Sequence, residues 1–263
     1  MADEAALALK GVTKRFGGLT VADALSFEVP AGSRMALIGP NGAGKTTVFN
    51  LISGVFPLDS GTIMLDGTPL ENMPPRLRVG AGLARSFQNI RLMPHLSVVE
   101  NVMLGQHVLV KGFASLLSPL AWQRGSRWRQ FAEASLRDAG IDVDPDSEVS
   151  ILPYGVRKRI EVVRALMSRP RLLMLDEPAA GLNPRETAEL SAFLKSIAQN
   201  GLTLLVVEHD MSFVHDLCDL TVVLNFGRMI YDGPTRAVQD NEEVRAAYLG
   251  RRRVPTRGTY PAA

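Results

Sequence analysis

The sequence predicts an α/β protein built around a buried parallel sheet, and three observations lead there. Met35-Ala36-Leu37-Ile38, Leu172-Leu173-Met174-Leu175 and the run from Leu202 to Val207 are short and almost wholly apolar, the composition of strands covered on both faces. Stretches with helical periodicity, notably Arg157 to Met167 and Arg185 to Gln199, separate the later runs. Buried strands alternating with helices argue for a sheet whose crossovers are helical.

In chain order, Leu7 to Thr13, Leu25 to Val29 and Thr62 to Leu65 read as further strands, punctuated by Gly17-Gly18, Pro30-Ala31-Gly32 and Asp66-Gly67. A helix is expected from Lys45 to Ser53, closed by Gly54. From about Asn89 to Ser150 the character changes. Buried-strand runs are missing, and helices are expected from Val98 to Leu109 and from Trp128 to Ala139, the second ending at Gly140 in a C-cap position. Between them, Gly112 to Trp122 is apolar and punctuated; it either packs on its own subdomain or offers an apolar patch to a partner. The chain has no internal repeat and no low-complexity tract.

Composition narrows the class further. Of 263 residues, 46% are hydrophobic and 21% charged, and the net charge is +2, which fits a folded globular chain without a strong pull toward nucleic acid. The basic excess gathers at Arg251, Arg252, Arg253 and Arg257. Residues 251–263 therefore read as a solvated, disordered tail or, more sharply, as an attachment to an anionic membrane surface. A single cysteine, Cys218, leaves no internal disulfide and points to a reducing compartment, with the thiol packed as a small hydrophobe. The start Met1-Ala2-Asp3-Glu4 is acidic, unlike a secretory leader, and no run of about 18 apolar residues is long enough to span a bilayer. A soluble chain is expected.

Gly39-Pro40-Asn41-Gly42-Ala43-Gly44-Lys45-Thr46 fits the pattern G-x-x-x-x-G-K-[ST]. Gly42 and Gly44 let the backbone curl so that successive N–H groups point inward at phosphate oxygens. The helix opening at Lys45 adds its positive end. Lys45 reaches the β- and γ-phosphates in this reading, and the Thr46 hydroxyl ligates Mg²⁺. The loop follows a buried strand and opens a helix, the context the pattern needs, so nucleotide binding is the reading here.

Leu172-Leu173-Met174-Leu175-Asp176-Glu177-Pro178 puts two acids at the carboxyl end of a buried strand, the edge at which parallel sheets bind ligands. Asp176 can hold Mg²⁺ through water, and Glu177 can polarise an attacking water.

With these motifs in place the chain resembles the ATPase subunits of ABC transporters over nearly its whole length. The order of features is that family's: the phosphate loop, Gln88 in Arg85-Ser86-Phe87-Gln88, a signature stretch Leu152-Pro153-Tyr154-Gly155-Val156, the Asp176-Glu177 pair, Gly181-Leu182-Asn183, and His209 beyond the last buried run. The resemblance implies a P-loop NTPase core with a parallel sheet, an antiparallel β subdomain and an inserted α-helical subdomain. The implied boundaries are an ATPase domain over 7–250, with 1–88 and 157–250 forming the nucleotide-binding core and 89–156 the helical and signature part. It implies ATP and Mg²⁺ as ligands, with Gly39, Pro40, Asn41, Gly42, Ala43, Gly44, Lys45, Thr46 and Thr47 binding ATP and Phe16 stacking on adenine. Thr46, Gln88 and Asp176 are the implied metal ligands, and Glu177, His209, Lys45 and Gln88 the implied catalytic set. His209 matches a switch histidine that contacts the γ-phosphate and Glu177. His95, His107 and His215 receive no role.

The signature departs from the family pattern L-S-G-G-Q. Its serine hydroxyl bonds the γ-phosphate held on the opposite subunit, and Pro153 brings neither a hydroxyl nor an N–H. Proline fits the first turn of a helix, so a helix from about Gly155 to Met167 still forms. One hydrogen bond to a charged group, worth roughly 1.5–3 kcal/mol, is missing. An asymmetric heterodimer follows as the expectation: this chain's loop works with a sister ATPase's signature, and the reverse site is slow.

Within the family, Arg85 to Leu92, Gly105-Gln106-His107, the insert around Gly112 to Arg129, Pro178 to Pro184, Glu208-His209-Asp210-Met211 and Val244 to Gly250 are similar to subunits of importers for branched-chain amino acids and related polar amides. That resemblance implies two integral-membrane permeases, a sister ATPase and an extracytoplasmic solute-binding protein, with this chain on the cytoplasmic face of the membrane and the insert Phe113 to Trp122 facing the permease. Nucleic acid is not an expected partner. Competing assignments are the ATPase of lipopolysaccharide export, a non-transport ABC ATPase, and a non-hydrolytic nucleotide-binding regulator.

Overall fold

The computed structural model describes residues 5–86, 90–109 and 125–249. Gln88, the apolar insert and the basic tail lie outside them.

Two sheets share the chain. The long strands β1 (Ala5–Phe16) and β2 (Leu19–Pro30) pair antiparallel, and β4 (Ser60–Leu65) and β5 (Thr68–Pro69) extend them in the order β2-β1-β4-β5. The second sheet has the order β10-β9-β3-β8-β7-β6. In it β3 (Arg34–Ile38), β6 (Leu83–Arg85), β7 (Leu172–Asp176), β8 (Thr203–Val207) and β9 (Leu220–Asn225) run parallel, and β10 (Arg228–Pro234) closes one edge antiparallel.

The apolar runs are covered on both faces because successive side chains point to opposite sides. Ala36, Ile38, Leu173, Leu175, Leu204 and Val206 enter one core. Met35, Leu37, Leu172, Met174, Leu205 and Val207 enter the other. The first core is shared with α3 (Val98–Leu104), α4 (Arg127–Asp138), α5 (Tyr154–Leu166), α6 (Pro184–Ala198) and α7 (Met211–Leu217). The second lies between the two sheets and takes in α1 (Lys45–Ser53) through Val48, Phe49, Leu51 and Ile52. The remaining helices are the short α2 (Pro75–Arg78), between β5 and β6, and α8 (Glu242–Leu249).

The strands β1 and β2 are longer than the expected runs Leu7 to Thr13 and Leu25 to Val29, and three further differences have a local cause. The helix expected from Val98 to Leu109 is α-helical only to Leu104 and continues as a 3-10 turn over Gly105–Leu109. The break falls where Gly105 presses on α5, since a β-carbon there would sit 2.0 Å from the Arg164 carbonyl oxygen. The helix α5 starts at Tyr154, ahead of the periodic stretch from Arg157 and one position before the start near Gly155 that Pro153 suggests, with Pro153 as its N-cap residue in extended ψ. The hairpin β9–β10 was not anticipated; it turns through Phe226 and Gly227, both at positive φ (46° and 78°), the geometry of a two-residue hairpin turn.

Sheet order decides where the motifs meet. The strands β3, β8 and β7 are neighbours and parallel. Their carboxyl ends therefore lie side by side, carrying the loop from Gly39, the pair Glu208-His209 and the pair Asp176-Glu177.

Candidate nucleotide site

The loop after β3 is moulded by contacts that exclude a side chain. At Gly39 (φ 151°) a β-carbon would lie 2.2 Å from the Leu224 carbonyl oxygen on β9, and at Gly44 (φ 105°) one would lie 2.5 Å from the Val21 carbonyl oxygen on β2. Inside the loop the Ala43 N–H donates to Pro40 O at 3.1 Å, and the Gly227 N–H donates to Ala43 O at 3.0 Å. Gly44 caps α1 without a side-chain acceptor, and the first turn carries no acid. The first-turn N–H groups and the positive helix end thus face the loop interior without a carboxylate of their own to neutralise them.

Lys45 folds over this loop, with Nζ donating to Gly39 O at 2.6 Å and to Pro40 O at 3.1 Å. Burial pulls its pKa below the usual lysine range, and the carboxylates of Glu177 and Asp176 oppose that shift. The lysine and both acids therefore share one electrostatic neighbourhood. Asp176, at the end of β7, is buried and accepts from Arg85 Nη2 at 2.8 Å through Oδ2.

Glu177 sits in the left-handed backbone region (φ 47°), its N–H donating to Val207 O at 2.9 Å. His209, largely exposed, places Nδ1 4.0 Å from Glu177 Oε1. Beside it Glu208, 1% exposed, accepts the Ala179 N–H at 2.8 Å and the His209 N–H at 3.1 Å. Burial pushes the Glu208 carboxyl above the usual range, and these backbone donors hold it back. Glu208 carries no role in the sequence reading, although an acid closing a run of buried apolar residues is a visible signal. It ties the loop behind Glu177 to the loop carrying His209.

Phe16 ends β1, is 41% exposed, and meets Phe56 edge-on at 5.2 Å with Lys14 Nζ 5.4 Å from its ring centre. The β1–β2 hairpin that carries it touches the phosphate loop through Val21 and Gly44. Asn41, Gly42 and Thr46 are exposed, while Pro40 and Thr47 are half-buried and Ala43 is buried.

The signature segment opens a different element. Pro153 is exposed, Gly155 is buried against Glu186 of α6, and Leu152, Tyr154 and Val156 are half-buried. A β-carbon on Gly181 would lie 3.3 Å from the Tyr154 ring, so that ring rests on the loop following Glu177. Lys45, Asp176, Glu177 and His209 are brought together, whereas the signature belongs to the start of α5.

A glycine-shaped loop and two strand-end acids thus share one edge of the sheet. The profile of the ABC transporter family matches residues 22–180. The chain belongs to the ABC transporter family. This ABC protein is 38% identical over 248 residues to the high-affinity branched-chain amino acid transport ATP-binding protein BraF of Pseudomonas aeruginosa, covering 93% of this chain and 97% of the relative. It is 37% identical over 248 residues to LivG of Escherichia coli, a protein of the same description, with the same coverage. Among solved structures it resembles the ADP conformation of MJ1267, an ATP-binding cassette of an ABC transporter, with a TM-score of 0.83 at 26% identity over 94% of this chain and 99% of that one. As an ABC ATPase it binds and hydrolyses ATP. No helix among the described residues is long and apolar enough to cross a membrane.

Proposed function

We propose that this chain is the motor subunit of an ABC importer, hydrolysing ATP on the cytoplasmic face of the membrane to drive uptake of branched-chain amino acids or related polar amides through partner permeases. The observation that carries the chemistry is the meeting of Lys45, Asp176, Glu177 and His209 at the phosphate loop. The cargo class rests on the similarity to BraF and LivG, which covers nearly all of both chains and favours import over the lipopolysaccharide-export, non-transport and regulatory alternatives.

In this reading Gly39 to Thr47 wrap the phosphates, and Lys45 Nζ exchanges its bonds to Gly39 O and Pro40 O for β- and γ-phosphate oxygens. Phe16 stacks on adenine. Glu177 orients the attacking water and takes up its proton, and His209 holds the γ-phosphate and Glu177 in register. The donors available to a metal are hard oxygens, the Thr46 hydroxyl and the Asp176 carboxylate. Among the described residues no group of three or more His, Cys, Asp or Glu side chains would hold an ion alone. That set fits Mg²⁺, a hard cation that proteins hold through one or two carboxylates together with substrate phosphates. Thr46 and Asp176 would hold it, with Gln88 as a further ligand, and it would supply charge neutralisation at the β- and γ-phosphates.

The subdomain division at 89–156 and the pairing with a sister ATPase belong to the same reading. A cavity of about 310 Å³ lined by Arg85, Met93, Leu104, His107, Glu161 and Arg164 lies between the sheet edge at β6 and the helices α3 and α5, where a permease loop would seat. A solute-binding protein would act beyond the membrane.

Two measurements test the proposal. E177Q should retain ATP binding and lower turnover of the assembled pair by about 10²–10⁴-fold; undiminished turnover would remove Glu177 from the chemistry. Isolating the chain from membranes should bring two permeases and a second ATPase with it, and deletion should abolish uptake of branched-chain amino acids. Unimpaired uptake of them would reject the cargo class.

A further inference from the structure

Arg85 joins the helix α1 to Asp176, which lies 91 positions beyond Arg85 in the chain. Its Nη2 donates to Asp176 Oδ2 at 2.8 Å, and its Nη1 donates to Asn50 Oδ1 at 2.8 Å and Ser53 Oγ at 2.9 Å. Its Cζ lies 5.5 Å from the centre of the Phe49 ring. The Arg85 and Asp176 side chains are only 9% and 10% exposed. Asn50 and Ser53 follow Thr46 by four and seven positions in α1, so the three share one face of that helix. One planar fork therefore spans from the helix face that presents Thr46 to the carboxylate that ends β7. Its backbone is fixed as well, since Arg85 pairs with Met174 across β6 and β7.

We propose that Arg85 is a positioning residue for the magnesium site. It engages one oxygen of Asp176, so that the other is the one offered to a metal-bound water, and it sets the spacing between Asp176 and Thr46. Guanidinium is suited to this because its donors point in fixed directions, which an ammonium cannot reproduce. The inference rests on reading Thr46 and Asp176 as the magnesium donors. A merely structural ion pair would lower stability and weaken nucleotide binding to the same extent with and without Mg²⁺. A positioning role acts on the magnesium-dependent part alone.

The test is calorimetric binding of ADP to the purified full chain, in EDTA and across a Mg²⁺ titration, for the parent, R85K and the double variant N50A/S53A. The double variant leaves the Arg85–Asp176 pair in place and removes its seat on α1, so it serves where R85K does not fold. Affinity in EDTA should stay within about twofold of the parent, while the Mg²⁺ concentration giving half of the magnesium-dependent gain rises about tenfold or more, the size seen when outer-shell partners of metal ligands are removed. An unchanged magnesium midpoint in the folded variants, or equal losses in EDTA and in Mg²⁺, would overturn the proposal. A parent chain whose ADP affinity ignores Mg²⁺ would instead overturn the donor assignment beneath it, and the parent titration alone reveals that.

Discussion

A left-handed backbone costs a residue with a β-carbon about 1–2 kcal/mol, and Glu177 is held there by the bond from its N–H to Val207 O. The strain turns the chain sharply at the end of β7, so that Asp176 and Glu177, adjacent in sequence, take different partners: Arg85 for the first, His209 for the second. The identity of these acids was legible in the sequence, because an acidic pair closing an apolar run is a local pattern. Arg85 and Glu208 were not recognised as site residues, since their partners lie 91 and 29 positions away and spacing along the chain does not reveal them.

Buried groups of the same molecule make two predictions at this scale. Burial raises the Glu161 carboxyl above the ordinary value of 4.5, against the Arg91 N–H and the charges of Arg164 and Lys158. A raised carboxyl contributes fully to stability below the unfolded value, and that contribution is lost as pH rises through the native one. Since E161Q keeps an oxygen for the Arg91 N–H, its melting temperature relative to the parent should climb from about pH 4.5 to 7. A constant difference across that window would contradict this. Cys218, buried, has its thiol pushed up to about 12; iodoacetamide should modify it only after unfolding, and rapid native labelling at pH 8 would count against the packing described.

At the scale of elements, local chemistry explains what the sequence disclosed. The helix α1 was legible to the residue, because Gly44 and Gly54 bracket it, both at positive φ. The start of α6 is marked by a capping box in which the Asn183 side chain accepts the Glu186 N–H while Glu186 accepts the Asn183 N–H, and its first helical residue is Pro184. Several elements escaped, α7, α8, β6 and the hairpin β9–β10 among them. The strand β6 has only three residues, too few for a period to register, and β9 carries the apolar run Val222-Val223-Leu224 whose hairpin partner β10 is mostly exposed. The break after Leu104 was hidden too, because its cause is α5. G105A would force a β-carbon into the Arg164 carbonyl oxygen, and overpacking of this kind costs about 1–3 kcal/mol. Its denaturation midpoint should fall accordingly, and a midpoint equal to the parent's would show that the two helices can part freely.

For the whole molecule, chain topology assembles the site. The parallel order β3-β8-β7 sets three carboxyl ends side by side, and ligands gather at that edge of such sheets. Motif order along the chain made this arrangement legible in advance, whereas the pairing of whole subunits was accessible only through resemblance. If the chain works opposite a sister ATPase, the proline in its signature weakens the site made from the sister's loop. P153S should then raise turnover of the assembled pair when the site built on this chain's own loop is silenced by E177Q, by about ten- to a hundredfold for one recovered charged hydrogen bond. Equal acceleration of both sites would argue against the asymmetry.

The two glycine contacts of the phosphate loop bear on how the ligand is met. Leu224 O on one side and Val21 O on the other leave Gly39 and Gly44 no room for even a methyl group, so the curl is cast against β9 and β2 while the protein folds. Conformational freedom that a slack loop would surrender on each encounter has already been given up. In the proposed reading ATP meets a receptor whose shape is ready, and little of its affinity is consumed in ordering the backbone that receives it.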